Sequence, residues 1–207
     1  MSSVERILES DPLIHELLDR RRSPRAFDPG RRVSRLSILT LLQAARVAPS
    51  CFNEQPWRFL VFDSDEPEAL DQARSCLSAG NAWALRAPVL ILSAAAQRWS
   101  RDGSPNRWAE HDVGLASENL ALQATSLGFA AHFMGGFDES RARALFGIPE
   151  DFTPMAMIAV GYPADPDDLP PKLRDRELAP RRRKAIEEIV FSSRWDRPMA
   201  HWHSMLL

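Results

Sequence analysis

Three arginines and a serine lie close together in the segment RRSPRAFDPG, residues 21–30. Arg21, Arg22, Ser23 and Arg25 follow a short amphipathic helical pattern, on a bend stiffened by proline. Guanidinium groups and a hydroxyl donor match the oxygens of a phosphate group. The alternative is that the arginines complement the dipole at the helix end and stay solvated. On this segment alone both interpretations are open.

The segment APSCFNEQPWRF, residues 48–59, is rich in side chains that donate and accept hydrogen bonds. It connects a predicted buried helix to a predicted strand, and its candidate binding residues are Pro49, Ser50, Cys51 and Asn53. Such a loop can present donors and acceptors to a flat heteroaromatic ring such as isoalloxazine. The alternative is an Asx-type turn that satisfies its own backbone.

Two further segments are weaker signals. In FMGGFD, residues 133–138, Gly135 and Gly136 allow close approach of a ligand to the backbone before a helix, or simply permit a positive φ in a connection. In PRRRKAIEEIV, residues 180–190, Arg181 and Arg183 either reach a phosphate or form a solvated charge run. The chain contains no GxGxxG dinucleotide fingerprint.

Composition argues against several classes of protein. The 207 residues carry 26 Lys+Arg against 28 Asp+Glu, a net charge of −2, so we expect no nucleic-acid partner. Cys51 and Cys76 form no CxxC pair and are predicted to be reduced, buried thiols; we expect no metal. The sequence lacks an apolar run of the roughly 18 residues that a membrane span needs. It also lacks a signal peptide, so a cytoplasmic protein is expected.

Acid–base chemistry has no evident carrier in the sequence. We find no obvious His–Asp or Cys–His pair, and we predict structural roles for His111, on a long helix, and His132, in a buried strand. Trp83, Trp99 and Trp108 are expected to be buried, with a wall of a substrate slot as the alternative.

The elements that must position these residues alternate through the middle of the chain. Ser34 is predicted to cap a helix over SRLSILTLLQAARVA, and AEHDVGLASENLALQATSLG reads as a long helix closed by Gly128. Asp138 and Gly147 are expected to bound a short helix. Apolar runs predict strands in WRFLVF, APVLILSA, FAAHFM and MAMIAVGYP. The pattern predicts a three-layer α+β or α/β fold with helices on both faces of one sheet.

The C-terminal segment differs in kind, being rich in proline and charge and ending in aromatic residues. AIEEIVF is a candidate strand, and Trp195, Trp202 and Leu207 need a surface to bury against. We therefore expect this arm to wrap a partner subunit.

Taken in order and at these spacings, the four segments resemble the nitroreductase family of FMN-dependent oxidoreductases. RRSPRAF is similar to the family's phosphate-binding turn, APSCFNEQPWRF to its flavin-ring loop, GGFD to its glycine segment and RRRKAIEEIVF to its C-terminal basic strand. The resemblance runs from Leu17 to Trp195.

The resemblance implies a three-layer α/β/α sandwich, an α+β fold with a central mixed sheet. It also implies a homodimer with FMN at the subunit interface. Residues 1–180 would form the FMN-binding domain and residues 181–207 a C-terminal strand and arm of the same domain. The implied FMN-binding residues are Arg21, Arg22, Ser23, Arg25, Arg181 and Arg183 at the phosphate, Pro49, Ser50, Cys51 and Asn53 at the ring, Gly135 and Gly136 near N5 and O4, and Asn81 near the pyrimidine edge.

The chain departs from the family pattern at two positions: Cys51 stands where serine is frequent, and Ala185 where proline is common. The implied activity is hydride transfer from NAD(P)H to a nitroaromatic, a quinone or a similar substrate by ping-pong kinetics, with no catalytic side chain required. Alternatives are a flavoprotein dehydrogenase or reductive dehalogenase on the same fold, or a non-enzymatic anion-binding module.

Overall fold

The computed structural model describes residues 14–198. This part of the chain divides into two compact units, the first ending at Glu177 and the second beginning at Leu178. The end of the predicted C-terminal arm, residues 199–207 with Trp202 and Leu207, lies outside the described residues. The described residues contain no helix that is both long and apolar enough to span a membrane.

The helices predicted from the sequence are present, and one further helix, Pro171–Leu178, was not predicted. Within residues 14–198 the α-helices are α1 (Glu16–Arg20), α2 (Arg35–Arg46), α3 (Pro67–Ser75), α4 (Ala109–Ser126), α5 (Glu139–Phe146) and α6 (Pro171–Leu178). Short 3-10 segments lie at Cys51–Asn53, Ala79–Arg86, Pro166–Asp168 and Ile186–Glu188.

The predicted helix boundaries follow from local hydrogen bonds. The Ser34 hydroxyl accepts from the Ser37 amide at 3.0 Å, and the Asp138 carboxylate accepts from the Arg141 amide at 2.9 Å. Gly147, after α5, takes φ 62° and thus the left-handed conformation that suits a glycine at a helix end. The predicted caps at Ser34, Asp138 and Gly147 are confirmed.

The sheet contains β1 (Trp57–Asp63), β2 (Val89–Ala96), β3 (Ala130–Met134) and β4 (Phe152–Gly161), in the order β1-β2-β4-β3. Every pairing among these strands is antiparallel, so the expectation of a mixed sheet is wrong for the described residues. The chain passes from β2 through α4 to β3. The two strands do run in the same direction, but β4 is inserted between them and pairs with both.

Helices cover both faces of the sheet, and each face has its own apolar core. On one face α2 and α4 pack through side chains such as Leu41 and Leu120 against Ile91 and Ile158 of the sheet. On the other face α3, α5 and the Ala79–Arg86 segment pack against the opposite side of the same strands. The α+β class and the three-layer arrangement are thus confirmed.

The second unit has little regular structure. Its segment Ile186–Glu188 is a 3-10 turn, whereas the sequence suggested a strand over AIEEIVF. The Glu188 side chain accepts from the Ala185 amide at 2.9 Å, and this bond closes the chain into a turn in place of an extended ladder.

Candidate flavin-binding site

The arginine turn follows α1 and packs against α4. The Arg21 guanidinium lies 3.4 Å from the Glu118 carboxylate of α4 and donates to the Ser23 hydroxyl at 3.3 Å. Arg22 and Ser23 are exposed, while Arg25 is half-buried. The turn therefore combines two anchored guanidinium groups with one exposed guanidinium and an exposed hydroxyl.

The peptide group between Pro24 and Arg25 is hydrogen-bonded at both its carbonyl oxygen and its amide N–H. The Pro24 carbonyl accepts from the Nδ1 atom of His132, on β3, at 2.9 Å. The Arg25 amide donates to both oxygens of Glu177, on α6, at 2.9 Å each. The same carboxylate lies 3.7 Å from the Arg25 guanidinium.

His132 is half-buried beneath the turn, with its ring centroid 4.4 Å from that of Trp83. Burial lowers the pKa of the imidazole, the hydrogen bond to Pro24 partly offsets this, and the Arg25 guanidinium lowers the pKa further. A carbonyl only accepts, so the neutral imidazole carries its proton on Nδ1 and donates it to Pro24. The structural role expected for this histidine is therefore a specific one, to hold the turn.

The glycine segment follows β3, and Asn81 reaches it from a distant part of the chain. The Asn81 amide donates to the Gly136 carbonyl at 2.8 Å, and the Ser78 amide donates to the same carbonyl at 3.1 Å. A Cβ atom at Gly136 would lie 2.8 Å from the Ser78 hydroxyl and 3.0 Å from the Asn81 amide nitrogen, whereas one at Gly135 would meet nothing within 4 Å. Position 136 therefore needs a glycine because another segment of the protein, at Ser78 and Asn81, packs closely against it.

The ring loop, residues 49–56, adopts a backbone that side chains rarely accept. Phe52, Asn53 and Gln55 have φ values of 51°, 57° and 54°, in the left-handed region. The Ser50 hydroxyl accepts from the Gln55 amide at 3.0 Å. Such a local concentration of strained residues persists only where surrounding contacts impose it.

Asp112 on α4 supplies one of those contacts. One of its oxygens accepts from the Cys51 amide at 2.9 Å and the other lies 2.9 Å from Nδ1 of His111. The Asp112 side chain is 3% exposed, whereas His111 is 60% exposed. The expectation that no His–Asp pair exists is therefore wrong, because the adjacent residues His111 and Asp112 form one.

A second connection fixes the far side of the ring loop. The Glu54 carboxylate accepts from the amide and hydroxyl of Ser100, at 2.6 and 3.2 Å. The Phe52 side chain is 80% exposed, and its ring meets that of Trp99 edge-on at 5.9 Å, with the Arg101 guanidinium 5.2 Å above it. The ring loop therefore carries an exposed aromatic side chain, that of Phe52.

The expectations for the cysteines and tryptophans are confirmed in part. Cys76, Trp83 and Trp99 are buried, but Cys51 is half-buried in the ring loop and Trp108 is 40% exposed. Both cysteines are free thiols.

The C-terminal basic residues lie in the second unit. Arg181 and Arg183 follow α6 in an irregular segment, and the Arg183 guanidinium donates to the Arg182 carbonyl at 2.8 Å. Their contribution to the phosphate site stays a prediction.

A cleft of about 300 Å³ lies between α4 and strands β2, β3 and β4. Its walls include Glu118, the partner of Arg21, and Val113, which follows Asp112. Asp112 and Glu118 are six residues apart on α4, about 9 Å at 1.5 Å per residue. The α4 wall of the cleft therefore extends from near Asp112, which anchors the ring loop, to Glu118, which pairs with Arg21 of the arginine turn.

Sequence reasoning missed the residues that anchor these segments. Glu177 is 152 positions from Arg25, and Asp112 is 61 positions from Cys51, so no local pattern signals either contact. The one usable signal was the adjacent pair His111–Asp112 at the start of the predicted long helix.

The fold and the sequence motifs together indicate an FMN-dependent oxidoreductase. Comparison with known proteins identifies its family. The nitroreductase family model matches residues 18–79 and 65–162. The chain belongs to the nitroreductase family.

Individual relatives agree with this assignment. The chain is 35% identical over 154 residues to a putative NADH dehydrogenase/NAD(P)H nitroreductase of Methanothermobacter thermautotrophicus, covering 72% of this chain and 77% of that protein. A protein of the same description from Archaeoglobus fulgidus is 31% identical over 155 residues, covering 72% and 84%. A solved structure described as an oxidoreductase containing FMN superposes with a TM-score of 0.84 at 33% identity, covering 91% and 96% of the two chains.

Proposed function

We propose that this protein binds FMN and uses NAD(P)H to reduce a small oxidised organic substrate. The observation that carries the proposal is that two separate sequence motifs are joined to β3 and to the glycine segment directly after it. The arginine turn contacts β3 through Pro24 and His132, while Asn81 binds Gly136, just beyond the strand. His132 and Gly136 are four residues apart, about 13 Å in an extended chain at roughly 3.3 Å per residue.

The residues of the turn fit a phosphate group. Two of its guanidinium groups are paired with carboxylates, which orients them, and Arg22 and Ser23 remain exposed for a ligand. Guanidinium forks and a hydroxyl are the donors that a phosphate monoester takes. We propose Arg21, Arg22, Ser23 and Arg25 as phosphate ligands, completed by Arg181 and Arg183.

The remaining motif residues fit a flat ring with polar edges. Gly135 and Gly136 are exposed beside Asn81, and Pro49, Ser50, Cys51 and Asn53 form the strained ring loop. Energy stored in such a loop is typical of a site organised in advance for a ligand. We propose that these residues contact the flavin ring, with the ring loop supplied by a second subunit.

When bound, FMN supplies hydride transfer between NAD(P)H and the oxidised substrate. The protein residues bind and orient, and no side chain has to form a covalent intermediate. We expect NAD(P)H and a quinone or nitroaromatic substrate to occupy one slot in turn, which gives ping-pong kinetics.

A homodimer is part of the proposal. Leu36 and Leu39 on α2 are 74% and 52% exposed, and Leu115 on α4 is 37% exposed. Both helices cover the same face of the sheet. Large apolar side chains that stay exposed on packed helices are candidates for a subunit interface. Light scattering on the purified protein tests the dimer directly.

The decisive experiment is the visible absorption spectrum of the purified protein, before and after anaerobic addition of NADH or NADPH. We expect flavin bands that bleach with reductant and return when a quinone is added. The double variant Arg21→Met, Arg25→Met should be colourless while keeping the far-ultraviolet circular dichroism of the parent. A colourless parent protein that takes up no added FMN would refute the proposal.

A further inference from the structure

The peptide unit that joins Pro24 to Arg25 is bound at both of its polar ends. His132 donates to its carbonyl oxygen, and Glu177 accepts from its amide nitrogen through both carboxylate oxygens, all at 2.9 Å. These two side chains come from two different elements, β3 and α6, that are far from the turn in sequence.

Fixing this plane determines the direction of the neighbouring side chains. The proline ring already restricts φ of Pro24, so the main rotation left at the centre of the turn is that of the Pro24–Arg25 peptide. Ser23 precedes this unit and the Arg25 side chain follows it. A rotation of the peptide would therefore move the hydroxyl and the guanidinium relative to each other.

Both anchoring groups are suited to the task because they are shielded from solvent. The Glu177 side chain is 10% exposed, and His132 is half-buried against Trp83. Hydrogen bonds to a charged acceptor are stronger than neutral ones, and a shielded unpaired partner is costly. Release of either end is therefore disfavoured.

We propose that His132 and Glu177 are positioning residues of the phosphate site, which act by clamping the Pro24–Arg25 peptide. The inference rests on the proposed FMN function and extends it to two residues outside the motifs. The Glu177 carboxylate accepts from the backbone amide of Arg25 and lies 3.7 Å from its guanidinium, while Arg22 and Ser23 remain exposed for the phosphate.

The test compares FMN with riboflavin, which has the same ring and no phosphate. His132→Phe keeps an aromatic ring against Trp83 but has no donor, and Glu177→Leu removes the acceptor. Each should raise the Kd of FMN about 10-fold, measured by quenching of flavin fluorescence, because one hydrogen bond to the turn is lost. The Kd of riboflavin should change by less than about twofold, since the ring contacts are untouched.

Conservative variants and a control separate positioning from simple destabilisation. In His132→Asn the amide N–H replaces the Nδ1 donor, and in Glu177→Gln the amide oxygen still accepts from Arg25; both should largely retain FMN affinity. Asp175→Asn removes an exposed charge from the same helix and should leave binding unchanged. If His132→Phe does not fold, the Glu177 variants carry the test alone.

A double variant gives the sharpest outcome. Because both residues hold one peptide unit, releasing either end frees it, and the double variant should weaken FMN binding by about 10- to 30-fold and not by the product of about 100-fold. Hydrogen exchange over residues 21–27 should accelerate in each single variant. Equal losses for riboflavin and FMN, or unchanged FMN affinity in both single variants, would overturn the clamp. A parent protein that binds no FMN would instead refute the proposed function.

Discussion

Replacement of Asp112 by alanine is expected to release the ring loop. The variant removes a buried carboxylate that accepts from the Cys51 amide at 2.9 Å, next to three residues in the left-handed region. A hydrogen bond to a charged group contributes about 1.5–3 kcal/mol, so we expect a loss of about 2 kcal/mol in the free energy of unfolding. For a chain of this size, that corresponds to a decrease in Tm of about 4–8 °C.

Asparagine at position 112 provides the matched control. Its amide oxygen can accept from the Cys51 amide while its amide nitrogen donates to Nδ1 of His111 in the other tautomer, so both hydrogen bonds persist. We therefore expect Asp112→Asn to lose less than about 1 kcal/mol. Scanning calorimetry of the three proteins, with urea unfolding as a second measurement, gives the comparison.

The same variants test the proposed role of the ring loop. Asp112→Ala should weaken the binding of riboflavin and FMN by the same factor, since the loop is proposed to contact the ring and not the phosphate. A Tm for Asp112→Ala equal to that of the parent would show that the carboxylate does not hold the loop. Destabilisation by asparagine as large as that by alanine would show that charge, and not the hydrogen-bond pattern, is what matters.

Three other predictions follow from local geometry. Gly136→Ala should lower Tm and FMN affinity, because its Cβ would lie 2.8 Å from a side-chain oxygen, whereas Gly135→Ala should retain the parental Tm. Burial raises the pKa of the Cys76 thiol, so a thiol reagent at neutral pH should modify Cys51 first, as mass spectrometry of the labelled peptides would reveal. Burial lowers the pKa of His132, so the unfolded chain binds the proton more readily and stability should fall as the pH drops below about 6.5; His132→Asn should reduce this pH dependence in urea unfolding.

The sequence predicts local features of the fold well because their causes are local. Ser34 and Asp138 cap helices through bonds to residues three positions away, and Gly147 ends α5 through its own left-handed backbone. The four apolar runs form strands, and β2, which lies between β1 and β4, is buried over almost its whole length. Neighbouring residues contain the information for all of these features.

The order of the strands depends on contacts that no single segment contains. The family resemblance implied a mixed sheet, yet β4, the last of the described strands, pairs with both β2 and β3 and makes the described sheet antiparallel. The segment AIEEIVF has strand-like composition, but the Glu188 carboxylate binds the Ala185 amide and the chain turns there. Propensity cannot decide such cases, because packing and pairing partners determine the outcome.

The candidate site shows the same division between motif and anchor. The arginine turn, the ring loop and the glycine segment were evident from their residue types, but each is held by a polar side chain from elsewhere: Glu177, Asp112 and Asn81. All three anchors bind backbone groups of the motifs, namely the Arg25 amide, the Cys51 amide and the Gly136 carbonyl, and Glu177 also lies 3.7 Å from the Arg25 guanidinium. The anchors are therefore as much a part of the candidate site as the motifs, and of the three only Asn81 was predicted from the sequence, through the family resemblance.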